Sequence, residues 1–295
     1  MIKMCLTAGL LISILSSVPA ISQQVSPSGN KSLLWTIKGK GLAKPSYLFG
    51  SMDYVCPPDY FWSKSMQESF DKSEKVCFSL DVGNQALKTQ AVEIFTDKHK
   101  HLKDYFTTAE YIAVKQFARD KMHLDLDPPK IQSLNPLAIQ PFIVKQLLGC
   151  ADPVSYESRI LVKARKEGKK ILGMETLAEY SIDIEATRFN DKIAEILVEM
   201  AKGSTYYRDY RNNIERAYQQ QDIQRINSLF KAAKPFSKAD LGIFLDEKNK
   251  RWLARMPAMM NQSPVFFLIN SINMWGEEGL ISLLRKAGYI VEPVH

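Results

Sequence analysis

The chain has 295 residues, 45% of them hydrophobic and 24% charged, and carries a formal net charge of +7. That composition can build a sizeable apolar core and excludes a disordered or low-complexity chain. The positive charge is dispersed and no nucleic-acid-binding motif accompanies it, so nucleic acid is not expected as a partner.

Met1-Ile-Lys3 is a short basic start, and Met4 to Val18 is an apolar run containing small residues. Ala20-Ile-Ser22 then supplies a small-x-small cleavage pattern before Gln23. The apolar run is shorter than the ~20 residues a membrane span requires. The expectation is a signal peptide over residues 1–22 and a mature domain over 23–295. That domain has no transmembrane anchor and is exported to a periplasmic or extracellular space. Cys5 lies in the leader, which leaves Cys56, Cys77 and Cys150 for an oxidising compartment. Cys77, inside the strand-like stretch 75–82, suits a buried thiol. Cys56 and Cys150 lie in turn-like contexts and are the pair expected to form a disulfide.

Leu33 to Lys38 reads as a strand, and 39–45 as a turn punctuated by Gly and Pro. A second strand follows over Tyr47 to Met52, which makes a hairpin. Gly50 is read as the end of that strand, where a glycine lets the backbone turn; Ser51 and the carboxylate of Asp53 are presented just past it. Residues 60–73 carry apolar side chains at helical spacing (Phe61, Trp62, Met66, Phe70), and 75–82 is the next strand. Residues 85–146 are largely helical in pattern, broken at Asp125-Leu-Asp-Pro-Pro129.

Ser155 to Glu167 reads as a helix with Ser155 as N-cap and Gly168 as stop. A short strand over 169–176 is expected to end at Gly173, with Glu175 just beyond. Residues 176–233 are helix-rich and include the tyrosine- and arginine-laden stretch Tyr206 to Asn213. A helix over 241–260 carries Lys248 and Asn249. The tail reads as a strand over 265–269 followed by Asn270 and Asn273, a helix over 277–287, and a last strand over 288–294.

Strands near both ends and a helical middle predict an α/β fold with a central mixed sheet. The strand ends at Gly50 and Asn270 are expected to face each other across one site. No Gly-x-Ser-x-Gly elbow, phosphate loop, dinucleotide fingerprint or His-Glu-x-x-His is present. His99 and His101 lie in a charged run, His123 is isolated and His295 is the last residue, so none is expected to be a ligand.

Several motifs together resemble the TraB/GumN family, relatives of the Tiki metalloproteases. They are Leu34-Trp-x-Ile37 with Pro45-Ser-Tyr-Leu-Phe-Gly-Ser-Met52, then Gly173-Met-Glu-Thr176, then the ending from Gly276-Glu-Glu-Gly279 to Glu292-Pro-Val294. The resemblance covers nearly all of the mature chain. It implies an α/β fold with a helical insert and a metal site at two Gly-x-x-His motifs with acidic residues nearby. Here the first motif is Gly50-Ser-Met-Asp53 and the second Asn270-Ser-Ile-Asn273, so both histidines are replaced. The strand that in relatives reads Leu-Glu-x-Asp is Phe78-Ser-Leu-Asp81, with Ser79 in place of glutamate, and the late Arg-Asn is Lys248-Asn249.

A catalytic zinc wants about three protein ligands and an open position, and Asn273 offers only a neutral amide oxygen. The cofactor expectation is therefore none, or Mg²⁺, Mn²⁺ or Ca²⁺ on an all-oxygen set of Asp53, Glu175, Asp81 and Asn273. Three functions stay open. The first is a catalytically degenerate exported member whose cleft binds a peptide or cell-envelope ligand. Asp53 and Glu175 then stand at the chemical positions, with Gly50, Ser51, Gly173, Asn270, Asn273, Lys248 and Asn249 around the ligand. The second is a metal-dependent hydrolase using the oxygen-rich set. The third is a non-enzymatic envelope interaction protein acting through its basic, tyrosine-rich middle, with Arg208 and Arg211. Structural roles stay open too: Glu175 as a cap for the helix near Thr176, Asp53 as a turn-former, and Asp81 as a strand-end residue.

Overall fold

The computed structural model describes residues 31–82, 92–234 and 236–295. The signal peptide expected over 1–22 and the start of the pattern over 85–146 lie outside the described residues. Residues Lys31–His295 form one compact unit.

Six strands form one mixed sheet: β1 (Leu34–Lys38), β2 (Ser46–Ser51), β3 (Lys75–Leu80), β4 (Lys170–Glu175), β5 (Val265–Asn270) and β6 (Ile290–Pro293). Their order across the sheet is β4-β3-β5-β2-β1-β6. β1 and β2 are the hairpin expected from the Gly- and Pro-rich turn, with Leu34 opposite Phe49 and Ile37 opposite Ser46. β5 inserts between β2 and β3 and runs parallel to both, and β4 is parallel to β3. The central parallel strands β2 and β5 are covered on both faces, which is why Tyr47-Leu-Phe49 and Val265 to Ile269 are continuous apolar runs rather than alternating ones. Phe49, Trp62, Phe70, Tyr156 and Phe266 pack edge-on or tilted with ring centroids 5.6–6.1 Å apart and anchor the core under β2 and β5.

The helical middle has a core of its own. The helices Thr108–Met122, Gln140–Leu148, Phe189–Ala201 and Tyr206–Gln219 bury Val114, Ala118, Ile143, Ile193, Leu197 and Tyr207 against one another. The late helix departs from the uniform stretch expected over 241–260. A short turn at Lys238–Leu241 leads into a π-helical segment, Gly242–Glu247, and then an α-helix, Lys248–Met260. A π segment shifts the helical register. Here it precedes the turn that turns Lys248 and Asn249 inward, 7% and 1% exposed.

Two glycines have roles other than those expected. Gly50 and Gly173 lie inside β2 and β4, not at strand ends, and neither has a positive φ. Each is instead required by close packing. A Cβ on Gly50 would collide with Met274 Sδ and come within 3.2 Å of Ser271 Cα, while one on Gly173 would collide with the backbone nitrogen of Asp81. A thioether can swing away; a neighbouring main chain cannot. Gly173→Ala is therefore expected to lower stability by roughly 1–3 kcal/mol, and by more than Gly50→Ala, as read by urea unfolding of the two variants side by side.

Candidate functional site

Because β2, β3, β4 and β5 are parallel, their carboxyl ends share one edge of the sheet, where open α/β sheets bind ligands. Asp53 follows β2, Asn270 closes β5, Asn273 lies one turn on, and Glu175 closes β4. Above this edge is a cavity of about 590 Å³, within the range of small-molecule and peptide sites. Asp53, Glu175, Lys248, Asn270 and Asn273 all line it, together with Tyr54, Glu157, Tyr180 and Arg211. The rest of the wall is mostly apolar and aromatic, including Phe78, Phe189, Phe230, Phe244 and Trp252.

The two strand ends meet as expected: Ser51 pairs with Asn270 across β2 and β5, and Asn270 Nδ2 donates to Asp53 Oδ1 at 3.1 Å. Asp53 is solvent-exposed, yet the protein closes round it enough that desolvation raises its carboxyl above the ordinary aspartate value. The Arg211 charge and the Asn270 hydrogen bond pull the other way. Ser51 Oγ donates to Ile269 O at 3.0 Å and is buried in the sheet. Neither Ser51 nor the two strand glycines lines the cavity, so these three support the edge rather than face a ligand.

Glu175 does not cap the following helix, Leu177–Ala186. Thr176 does so, accepting from Glu179 N at 3.2 Å while Glu179 Oε2 accepts from Thr176 N at 2.8 Å. Glu175 turns inward instead, where its Oε1 receives Lys248 Nζ at 3.1 Å. Lys248 Nζ also lies 3.4 Å from Asp183 Oδ2, which Arg251 Nη2 contacts at 2.6 Å. Burial raises the Glu175 carboxyl above its usual value despite the opposing Lys248 charge. Among the described residues its Oε2 has no hydrogen-bond partner, and neither does the indole nitrogen of Trp252 on the same wall.

Asn249 is one layer behind. Its Nδ2 donates to the carbonyl oxygens of Asn273 (3.1 Å) and Glu278 (2.8 Å), and its Oδ1 accepts from Asn273 Nδ2 at 3.0 Å. This amide pair ties the late helix to the turn after β5. The strand-end acid at residue 81 does not line the cavity; its backbone lies against Gly173. The four residues of the oxygen-rich metal set are thus not gathered on one wall. Among the described residues no three His, Cys, Asp or Glu side chains converge in a way that could hold a metal ion. All four histidines are exposed. With a neutral amide at residue 273 and a protein ammonium on Glu175, the donor set does not fit a catalytic divalent metal.

Two cavity residues were not picked out from sequence. Glu157 stands in the first turn of the helix Tyr156–Lys166, behind the Ser155 cap, where an acidic residue is common for dipole reasons alone. Arg211, expected only as a basic residue of an envelope-binding middle segment, donates inward from the helix Tyr206–Gln219. It contacts Glu215 Oε1 at 3.2 Å, Met52 Sδ at 3.0 Å and the carbonyl oxygen of Tyr54. Arg208 is exposed. The loop carrying Asp53 is held from the far side by the Cys56–Cys150 disulfide and by the Val55–Val154 bridge, with hydrogen bonds of 3.0 and 2.8 Å. Cys77, within β3, is a buried free thiol, its ionisation pushed up by desolvation.

A further brace sets the position of Glu175. Arg255 Nη1 donates to Met174 O at 2.6 Å and to Glu179 Oε2 at 3.0 Å. Arg255 and the Thr176 amide hold the Glu179 carboxyl down to about 2, from an ordinary 4.5. A depressed acid adds stability that is complete above the unfolded value and is lost as pH falls through the folded one. The wild type is therefore expected to lose about 1 kcal/mol between pH 5 and pH 2 that Glu179→Gln does not lose, the partial exposure of the pair limiting the size. Urea unfolding across that window measures it.

The chain matches the family model described as the TraB/PrgY/gumN family over residues 33–293. Comparison with curated proteins and with solved structures gives no match. The family match spans the whole sheet, the helical middle and every cavity residue named above, and by it the chain belongs to the TraB/PrgY/gumN family.

Proposed function

We propose that this is an exported family member that has lost metal-dependent peptidase chemistry and uses its retained cavity to bind a peptide or cell-envelope ligand. The observation that carries the reading is what stands at the two motif positions where the resemblance implies histidine. One is Asp53, hydrogen-bonded to Asn270; the other is Asn273, its amide nitrogen bonded to Asn249 Oδ1. Neither position offers an imidazole, and the acid between them, Glu175, already holds the ammonium of Lys248. What persists is a roomy, largely apolar cavity with polar groups at one edge, the usual make-up of a binding site. The leader-like residues 1–22 and the Cys56–Cys150 disulfide both favour an oxidising compartment outside the cytoplasm.

Calorimetric titration with Mn²⁺, Co²⁺, Zn²⁺ and Mg²⁺, beside an Asp53→Ala control, tests the loss of metal chemistry. The expected result is no stoichiometric uptake at micromolar metal. Uptake of one ion that vanishes in Asp53→Ala would overturn this reading in favour of a hydrolase on an oxygen-rich site.

A further inference from the structure

Charges on the cavity wall are unevenly matched. Three carboxylates (Asp53, Glu157, Glu175) face it with two cations (Lys248, Arg211). Both cations are already engaged: Lys248 by Glu175 and Asp183, Arg211 by Glu215 and the Tyr54 carbonyl. Asp53 has the Asn270 hydrogen bond and the Arg211 charge nearby but no direct ion pair, and Glu157 has no ion pair or hydrogen bond among the described residues. These two acids sense each other. Desolvation, with the Asp53 charge added, pushes the Glu157 carboxyl up to about 7, as burial with no cation beside the group does.

A second observation is independent of that pair. Glu175 is 6% exposed, and its Oε2 lacks a donor among the described residues. Buried carboxylate oxygens are almost always hydrogen-bonded, so an orphan on a cavity wall points to a missing partner. A bare divalent ion does not suit the site, since the acids are not grouped as ligands and most of the surrounding wall is apolar. Aromatic faces beside carboxylates suit an organic cation.

We propose that the cavity binds an organic cation, an ammonium or guanidinium carried on an apolar body, with Asp53 and Glu157 receiving the charge and Glu175 Oε2 accepting a further N–H. This rests on the ligand-binding reading above and names the chemistry of its ligand. The unpaired indole N–H of Trp252 leaves a place for an acceptor on the same ligand. A peptide's amino-terminal residue, with a carbonyl beside its ammonium, and a simple arylalkylamine share the required chemistry.

The test uses the purified protein and matched probes: 2-phenylethylamine against its neutral counterpart 2-phenylethanol, and the dipeptide amide Phe-Ala with a free or an acetylated amino terminus. The amine is expected to bind about tenfold or more tightly than the alcohol. Asp53→Asn and Glu157→Gln should each remove most of that preference for the amine over the alcohol. If peptides are the source, the free-terminus dipeptide binds about tenfold more tightly than its acetylated form; if small amines are, only the arylalkylamine shows the preference. Equal binding of charged and neutral probes would overturn the inference and leave the broader ligand-binding reading standing. Amine binding untouched by both substitutions would also overturn it, by placing the cation elsewhere. So would no binding of any probe at millimolar concentration, and the metal titration then decides the broader reading by itself. Because the amine–alcohol comparison is made on the unmodified protein, it holds even if a variant fails to fold.

Discussion

Replacing Cys56 and Cys150 with serine is expected to lower the stability of the protein by about 4–5 kcal/mol. The two cysteines are 94 residues apart in sequence, so the bond closes a long loop in the unfolded chain, and chain-entropy arguments give the largest effects for such loops. The folded state loses little direct packing, because the Val55–Val154 bridge still joins the same two segments. It does lose local precision. Asp53 lies three residues before Cys56, and Glu157 follows Cys150 by seven, so the disulfide constrains the spacing of these two acids. Urea unfolding of the wild type and the double serine variant measures the stability term, and the wild type with reductant should fall on the variant's curve. A loss below about 1 kcal/mol would mean that the reduced chain keeps enough structure in its unfolded state to offset the missing constraint. Amine affinity should fall with the disulfide, since the carboxylate pair is then free to spread.

Much of this architecture is written locally. The Gly- and Pro-rich turn between β1 and β2 announces a hairpin, and the Ser155 cap and Gly168 stop bracket their helix within a residue or two. The insertion of β5 between β2 and β3 is not local. It joins residues 190 apart on the β3 side and 219 apart on the β2 side, and nothing in the run Val265 to Ile269 names its neighbours, only that both its faces are buried. Asp53, Glu175, Asn270 and Asn273 could be anticipated because a strand end can be read from where an apolar run stops. Gly50 and Gly173 were misread for a related reason: a glycine in a strand signals either a turn or a close approach, and only the neighbouring chain tells which. Glu157 and Arg211 belong to helices whose inward face depends on tertiary packing. The acidic residue at 81 follows β3 and is skipped by the cavity wall, which takes Phe78, Ser79, Leu80 and Val82 on either side of it; nothing in the local sequence marks that gap.

Substituting Lys248 by methionine is expected to cost about 3–5 kcal/mol at neutral pH, as the loss of one partner from a buried ion pair does. The side chains of Lys248, Glu175 and Asp183 are 8%, 1% and 4% exposed, so water cannot replace the ammonium. Asp183 keeps Arg251 at 2.6 Å, which leaves Glu175 as the stranded charge, already short of a donor at Oε2. The pH dependence follows from the sign of its shift. The Glu175 carboxyl is raised in the folded protein, and losing the Lys248 charge raises it further, so the native variant holds a proton that the unfolded chain releases above its ordinary 4.5. The deficit of Lys248→Met should therefore grow from pH 5 to pH 8. Adding Glu175→Gln, which removes the charge but keeps the shape, should recover most of it, and a double-mutant cycle gives the coupling directly. A deficit independent of pH and not relieved by Glu175→Gln would mean that Lys248 acts by packing its stem over Tyr180 and Trp252, whose ring centroids lie 5.3 and 5.8 Å from its Nζ. The contrast with the other end of the cavity is physical: Glu175 carries a direct counterion within the fold, whereas Asp53 has Arg211 only as a neighbouring charge and Glu157 has no cation beside it, so a ligand's charge has more to offer there.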